Sequence, residues 1–123
     1  MRTLRFDLSD RLIALTVRII KASEALPDTK AGKHLAAQLL RSGTSPAANH
    51  AEAQSAESRA DFVHKLKIAL KELRETRMWL RVIVEAELIQ PPDRLHSLIE
   101  ETDELVSILF KSIETARKND ARH

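Results

Sequence analysis

The chain has 123 residues, 43% hydrophobic and 31% charged, with two glycines, four prolines and no cysteine. That length suits a single domain over 1–123, the scarcity of turn formers argues against an all-β fold, and the lack of cysteine excludes disulfides, thiolate metal sites and cysteine nucleophiles. A formal net charge of +2 is compatible with a polyanionic partner without being diagnostic of one.

The opening stretch MRTLRFDLSD has no apolar signal region, and no run approaches the roughly 18 apolar residues of a membrane span. A cytoplasmic protein with no membrane partner is expected. A first helix is predicted over 9–26, with Ser9 as N-cap, Pro27 as stop, and Leu8, Leu12, Leu15, Ile19, Ala22 and Leu26 on one face. A second row, Ile13, Val17 and Ile20, lies well around the same helix.

A second helix is predicted from about Lys30 to Gln54, carrying Leu35 and Leu39 and then a small-residue run, SGTSPAANHAEA. Such a run permits close approach of two helices. Ser45, Asn49 and Glu52 form a polar row within it that is able to face Glu72, Glu75 or Thr76. The row reads either as a small buried site or as a hydrogen-bonded register contact between helices, and the structural role is favoured because no catalytic constellation accompanies it. A buried Glu52 would need a cation such as Arg41, Arg74 or Arg77.

Ser58-Arg59-Ala60-Asp61 resembles a capping sequence and opens a third helix over about 59–88, with Phe62, Leu66, Ala69, Leu73, Leu80 and Val84 on its main face. Ile68, Trp79, Val82 and Ile83 point elsewhere. Gln90-Pro91-Pro92 breaks the chain before a fourth helix over about 92–117, with Leu95, Leu98, Leu105 and Leu109 beside Ile99, Val106, Phe110 and Ile113, and then a polar tail expected to fray. Short connections favour an antiparallel up-down-up-down four-helix bundle, an all-α fold. Each helix of a monomeric bundle needs one apolar stripe. The surplus Ile13, Val17, Ile68 and Trp79 therefore mark a candidate oligomer interface, the alternative being a wide core face with scattered exposed apolar residues.

Segment 64–81 carries six cations against two carboxylates, a local charge of +4, whereas segment 91–110 has a local charge of −4. These charges suit pairing within the chain or between subunits. Lys67, Lys71, Arg74 and Arg81 fall within roughly 80° on the third helix. This stripe suits a phosphate backbone; the alternative is a solvated face with Lys71–Glu75 and Arg81–Glu85 pairs. With Phe6, Phe62, Phe110 and Trp79 as the only aromatics, and most of them expected in the core, binding to backbone charge is expected rather than base stacking.

His34, His50, His64, His96 and His123 show no i, i+4 pair, and Asp61-Phe62-Val63-His64 is the nearest approach to a di-iron motif. No metal, no cofactor, no phosphate-cradling glycine loop and no serine elbow is expected, so the chain reads as a non-enzyme.

Gln38-Leu39-Leu40-Arg41-Ser42, Ser45-Pro46-Ala47-Ala48-Asn49, Glu52-Ala53 and Ala69-Leu70-Lys71-Glu72-Leu73-Arg74-Glu75-Thr76 followed by Trp79-Leu80 resemble the bacterial four-helix-bundle family some of whose members are encoded in intervening sequences of 23S rRNA genes. The likeness runs from Phe6 to about Ile113 and is most specific in the second and third helices. It implies a homopentameric ring, and similarity to the accessory protein of diversity-generating retroelements, a basic pentameric barrel that binds nucleic acid and a reverse transcriptase. Two positions depart from the family pattern, which commonly has apolar residues where Pro46 and His50 stand. Pro46 is expected to kink or interrupt the second helix. The reading is a nucleic-acid- or ribonucleoprotein-associated accessory protein that binds RNA or DNA, with a protein-interaction scaffold as the alternative.

Overall fold

Four α-helices and no strand occur among residues 7–121, which the computed structural model describes: α1 (Asp7–Glu24), α2 (Lys30–Gln54), α3 (Arg59–Glu85) and α4 (His96–Ala121), the last preceded by a 3-10 turn over Pro92–Leu95. The expectations placed on Phe6 and His123 lie outside these residues.

Local chemistry sets most of the boundaries. The Thr29 hydroxyl accepts from the Gly32 N–H at 3.0 Å and opens α2, and Ser58 does the same for Asp61 at the start of α3. Ser9 is not a cap, because α1 begins at Asp7 and Leu8 already packs against the core, which keeps that turn helical. Helix α3 stops at Glu85 rather than near 88. Glu87 has a left-handed φ of 57°, the Glu87 N–H donates to Val84 O at 3.0 Å, and the Leu88 N–H donates to Ile83 O at 3.1 Å. This pair of reversed bonds is a Schellman ending.

Pro46 does not interrupt α2, which is helical without a break from Lys30 to Gln54. The missing N–H and the ring's clash with the preceding turn cost about 3 kcal/mol in an isolated helix. Here the ring is buried, so its apolar contact and the packing of the flanking turns offset that cost.

One core is shared by all four helices, through Leu12, Leu15 and Ile19 of α1, Leu35 and Leu39 of α2, Leu66, Leu73, Leu80 and Ile83 of α3, and Leu98, Leu105 and Leu109 of α4. The α2–α3 contact is the most extensive, α3 also packs broadly on α4, and α1 rests mainly on α2. Because α3 is flanked by two helices, its buried face is wide. Ile83, expected away from the core row, is therefore wholly buried, while Phe110, expected beside the core, is 45% exposed.

Gly43 sits where α1 and α2 approach closely. A Cβ there would stand 2.5 Å from Ile19 Cγ2, well inside contact distance.

Candidate nucleic-acid interface

Lys67, Lys71, Arg74 and Arg81 all lie exposed on α3. At a rise of 1.5 Å per residue they extend over roughly 21 Å. What surrounds them determines their availability. Two carboxylates of the same helix, Glu72 and Glu75, face α2: Arg41 donates to Glu72 at 3.3 Å and also reaches Glu75, and Trp79 Nε1 donates to Glu75 Oε2 at 2.9 Å. Glu75 is thereby drawn away from Lys71, and the i, i+4 pair of the alternative reading does not form between them. Lys67, Lys71 and Arg74 have no ion pair among the described residues, whereas Arg81 meets Glu85 at 3.5 Å in an exposed pair of little energetic weight.

The other cations of this region are engaged. Lys65 donates to Glu52 at 2.8 Å, which holds its ammonium above the ordinary lysine value, and Arg77 donates to Asp103 of α4 at 3.1 Å. Three acidic residues of α4, Glu101, Asp103 and Glu104, are used inside the chain. Glu101 takes two hydrogen bonds of 2.8 Å from Arg11 of α1, which hold its carboxyl below the ordinary value, and Glu104 accepts from Arg11 at 3.2 Å.

Between α3 and α4 lies a groove of about 360 Å³ lined by Lys67, Leu70, Lys71, Arg74, Phe110, Ile113 and Arg117. It contains four cations and no carboxylate. The sequence reading missed two of these residues. Arg117 stands at the expected end of the fourth helix, where the polar tail begins, but α4 is helical to Ala121, and Phe110 is expected beside the core. Only the angle of about 100° between Phe110 and its buried neighbour Leu109 hinted at the latter.

The polar row divides. Ser45 and Asn49 are half-buried and bonded to each other, with Asn49 Nδ2 donating to Ser45 Oγ at 2.9 Å and Ser45 O at 3.1 Å. Glu52 is at the surface and uses Lys65 rather than Arg41, Arg74 or Arg77. The buried polar contact between α2 and α3 is made instead by Ser42 and Thr76, at 3.1 Å.

Of the residues assigned to an oligomer interface, Ile13 and Val17 are 57% and 44% exposed, and Ile20 continues their row. Ile68 and Trp79 are half-buried. Trp79 also packs edge-on against His34 of α2, with ring centroids 6.5 Å apart.

His50 fills a buried position on α2 with its Nδ1 3.4 Å from Ser9 Oγ and its Nε2 3.4 Å from Gln54 Nε2. Burial pushes its pKa below the ordinary imidazole value. Among the described residues there is no group of three or more His, Cys, Asp or Glu able to hold a metal, and no helix is long and apolar enough to cross a membrane.

Residues 6–111 match the model of a family described as 23S rRNA-intervening sequence protein. The chain is also similar to a crystal structure from Bacteroides thetaiotaomicron, a protein of unknown function from the S23 ribosomal protein family. The two share 37% identity over 86% of this chain and 97% of that one, with a TM-score of 0.80. No curated protein matches the chain.

Proposed function

The chain belongs to the 23S rRNA-intervening sequence protein family, and on that premise we propose that it is a non-enzymatic accessory protein that binds the backbone of RNA or DNA through Lys67, Lys71, Arg74 and Arg81. One observation carries this reading: Glu72 and Glu75, the carboxylates interspersed with these cations, are held by Arg41 of α2 while Lys67, Lys71 and Arg74 stay exposed and without an ion pair among the described residues. Cations already neutralised by the protein would release few counterions on meeting phosphate, and these three are not neutralised.

In this reading the chain is one domain, a cytoplasmic antiparallel up-down-up-down bundle, and copies assemble into a ring, a homopentamer, through Ile13, Val17, Ile68 and Trp79. Repetition of the basic edge around the ring turns a weak single-site attraction into avidity. Titration of labelled RNA and DNA at about 50 mM salt tests the proposal, with binding expected to show little base preference and to fall steeply as salt rises. Lys67→Glu, Lys71→Glu and Arg81→Glu together should abolish it while the oligomer persists. Absence of binding by the intact protein at low salt overturns it.

A second reading, a scaffold that holds a protein partner without touching nucleic acid, is favoured by the exposed row Ile13, Val17 and Ile20. Apolar association of that kind would be largely insensitive to added salt.

A further inference from the structure

The groove between α3 and α4 combines two features that backbone binding alone does not require. Lys67, Lys71 and Arg74 stand along one side, Arg117 enters from α4, and the floor is apolar, formed by Leu70, Ile113 and the half-exposed ring of Phe110. No carboxylate lines it. Lys67 and Lys71 are one helical turn apart, ~6 Å along the axis, comparable to the separation of successive phosphates in an extended strand.

A double helix keeps its bases stacked inside and offers phosphates alone to such a surface. A single strand offers both phosphates and unstacked base faces, and an aromatic ring among cations is how sequence-tolerant single-strand sites are built. We infer that this groove is a single-strand-selective nucleic-acid site, in which a base stacks on Phe110 while Lys67, Lys71, Arg74 and Arg117 hold the flanking phosphates. The inference rests on the proposed nucleic-acid function and narrows its ligand from RNA or DNA in general to an unpaired strand. An acidic peptide would satisfy the charge, but an extended peptide has no obligatory planar group for Phe110. The exposed ring therefore favours the nucleic acid.

The test measures fluorescence anisotropy of a labelled twelve-nucleotide oligouridine and a twelve-base-pair RNA duplex against the full chain, its Phe110→Ala, Phe110→Leu and Phe110→Tyr variants, and Arg117→Glu. The single strand should bind tighter than the duplex. Phe110→Ala and Phe110→Leu should each weaken single-strand binding by about tenfold and leave duplex binding unchanged, with Phe110→Tyr close to the parent, because stacking needs the π face rather than apolar volume. Arg117→Glu should weaken both ligands.

Equal affinity for the two RNAs, or a Phe110→Leu variant that binds like the parent, overturns the stacking site and leaves the backbone-charge reading intact. Failure of the parent protein to bind either RNA overturns both. Polyglutamate binding that shows the same dependence on Phe110 assigns the groove to an acidic polypeptide and likewise overturns the inference. Because Phe110 is half-exposed, the leucine variant should retain its helical circular dichroism, so loss of binding reads as loss of the ring.

Discussion

Thr76 of α3 stands 3.1 Å from Ser42 of α2, hydroxyl to hydroxyl, and both side chains are sealed from solvent. Each hydroxyl also reaches the carbonyl four residues earlier in its own helix, Ser42 to Gln38 O at 3.1 Å and Thr76 to Glu72 O at 2.8 Å. A hydroxyl carries one hydrogen, so at any moment only one of the two can donate across the helix contact. The pair fixes how α2 and α3 slide against each other at the level of Arg41, Glu72 and Glu75.

Thr76→Val should lower stability by about 1 kcal/mol or somewhat more, because it leaves a buried Ser42 oxygen without its cross-helix partner. Adding Ser42→Ala should cost little beyond the first change, a non-additivity that a double-mutant cycle in urea would measure. Asn49→Ala should cost less than about 1 kcal/mol, since its amide serves only Ser45 of its own helix at a half-exposed site. A larger loss for Asn49 than for Thr76 would reverse the assignment of the register contact.

Glu87→Gly should stabilise the protein by about 1 kcal/mol. A left-handed residue with a Cβ is strained where glycine is not, and the substitution also removes a negative charge from the negative end of α3. Thermal denaturation would register a rise of several degrees. Glu87→Val should lower the midpoint, as a β-branched side chain tolerates this conformation least.

The His50 imidazole is buried and its pKa is depressed, so the unfolded chain takes up a proton more readily than the folded one. Above the ordinary histidine value of about 6.5 the ring is neutral in both states and contributes no pH dependence. Stability should then decline as the pH falls below that value and level off once the depressed folded value is passed. His50→Gln should flatten this part of the profile in urea titrations between about pH 7 and 5, while an unchanged slope would mean that another group supplies it.

Ile13→Glu with Val17→Glu should reduce the mass seen by light scattering from a multiple of 13.9 kDa to the monomer while helical content is retained. Trp79 makes a different prediction from these two. Its ring packs on the core and its Nε1 binds Glu75, so Trp79→Ala should lower the melting temperature whether or not copies associate. A parent protein that is monomeric at micromolar concentration would remove the role given to the exposed row.

Helix positions were legible because their signals are local. Ser58 caps α3 and the turn after Pro27 precedes α2 as the sequence implies, and the spacing of Leu12, Leu15 and Ile19 is a property of one helix. Ile83 and Phe110 were misjudged because the width of a buried face depends on which neighbours flank the helix, and periodicity does not record that. Pro46 was misjudged because its cost is intrinsic to the helix while its compensation comes from burial. At the candidate interface, the shared edge of Lys67, Lys71, Arg74 and Arg81 followed from angle alone. Arg117 did not, since it reaches the same groove from another helix, more than thirty positions away.

The broad contact between α2 and α3, joined by residues 55–58, has a kinetic consequence. Two long helices linked by so short a connection lose little chain entropy in meeting, so their contact is expected to form early in folding. Helix α1 leans chiefly on α2 and is joined to α4 mainly through polar side chains, Arg11 to Glu101 and Glu104 and Arg18 to Ser97. Any opening that lifts α1 would bring Leu12, Leu15 and Ile19 into water together, an apolar strip able to stick to other chains.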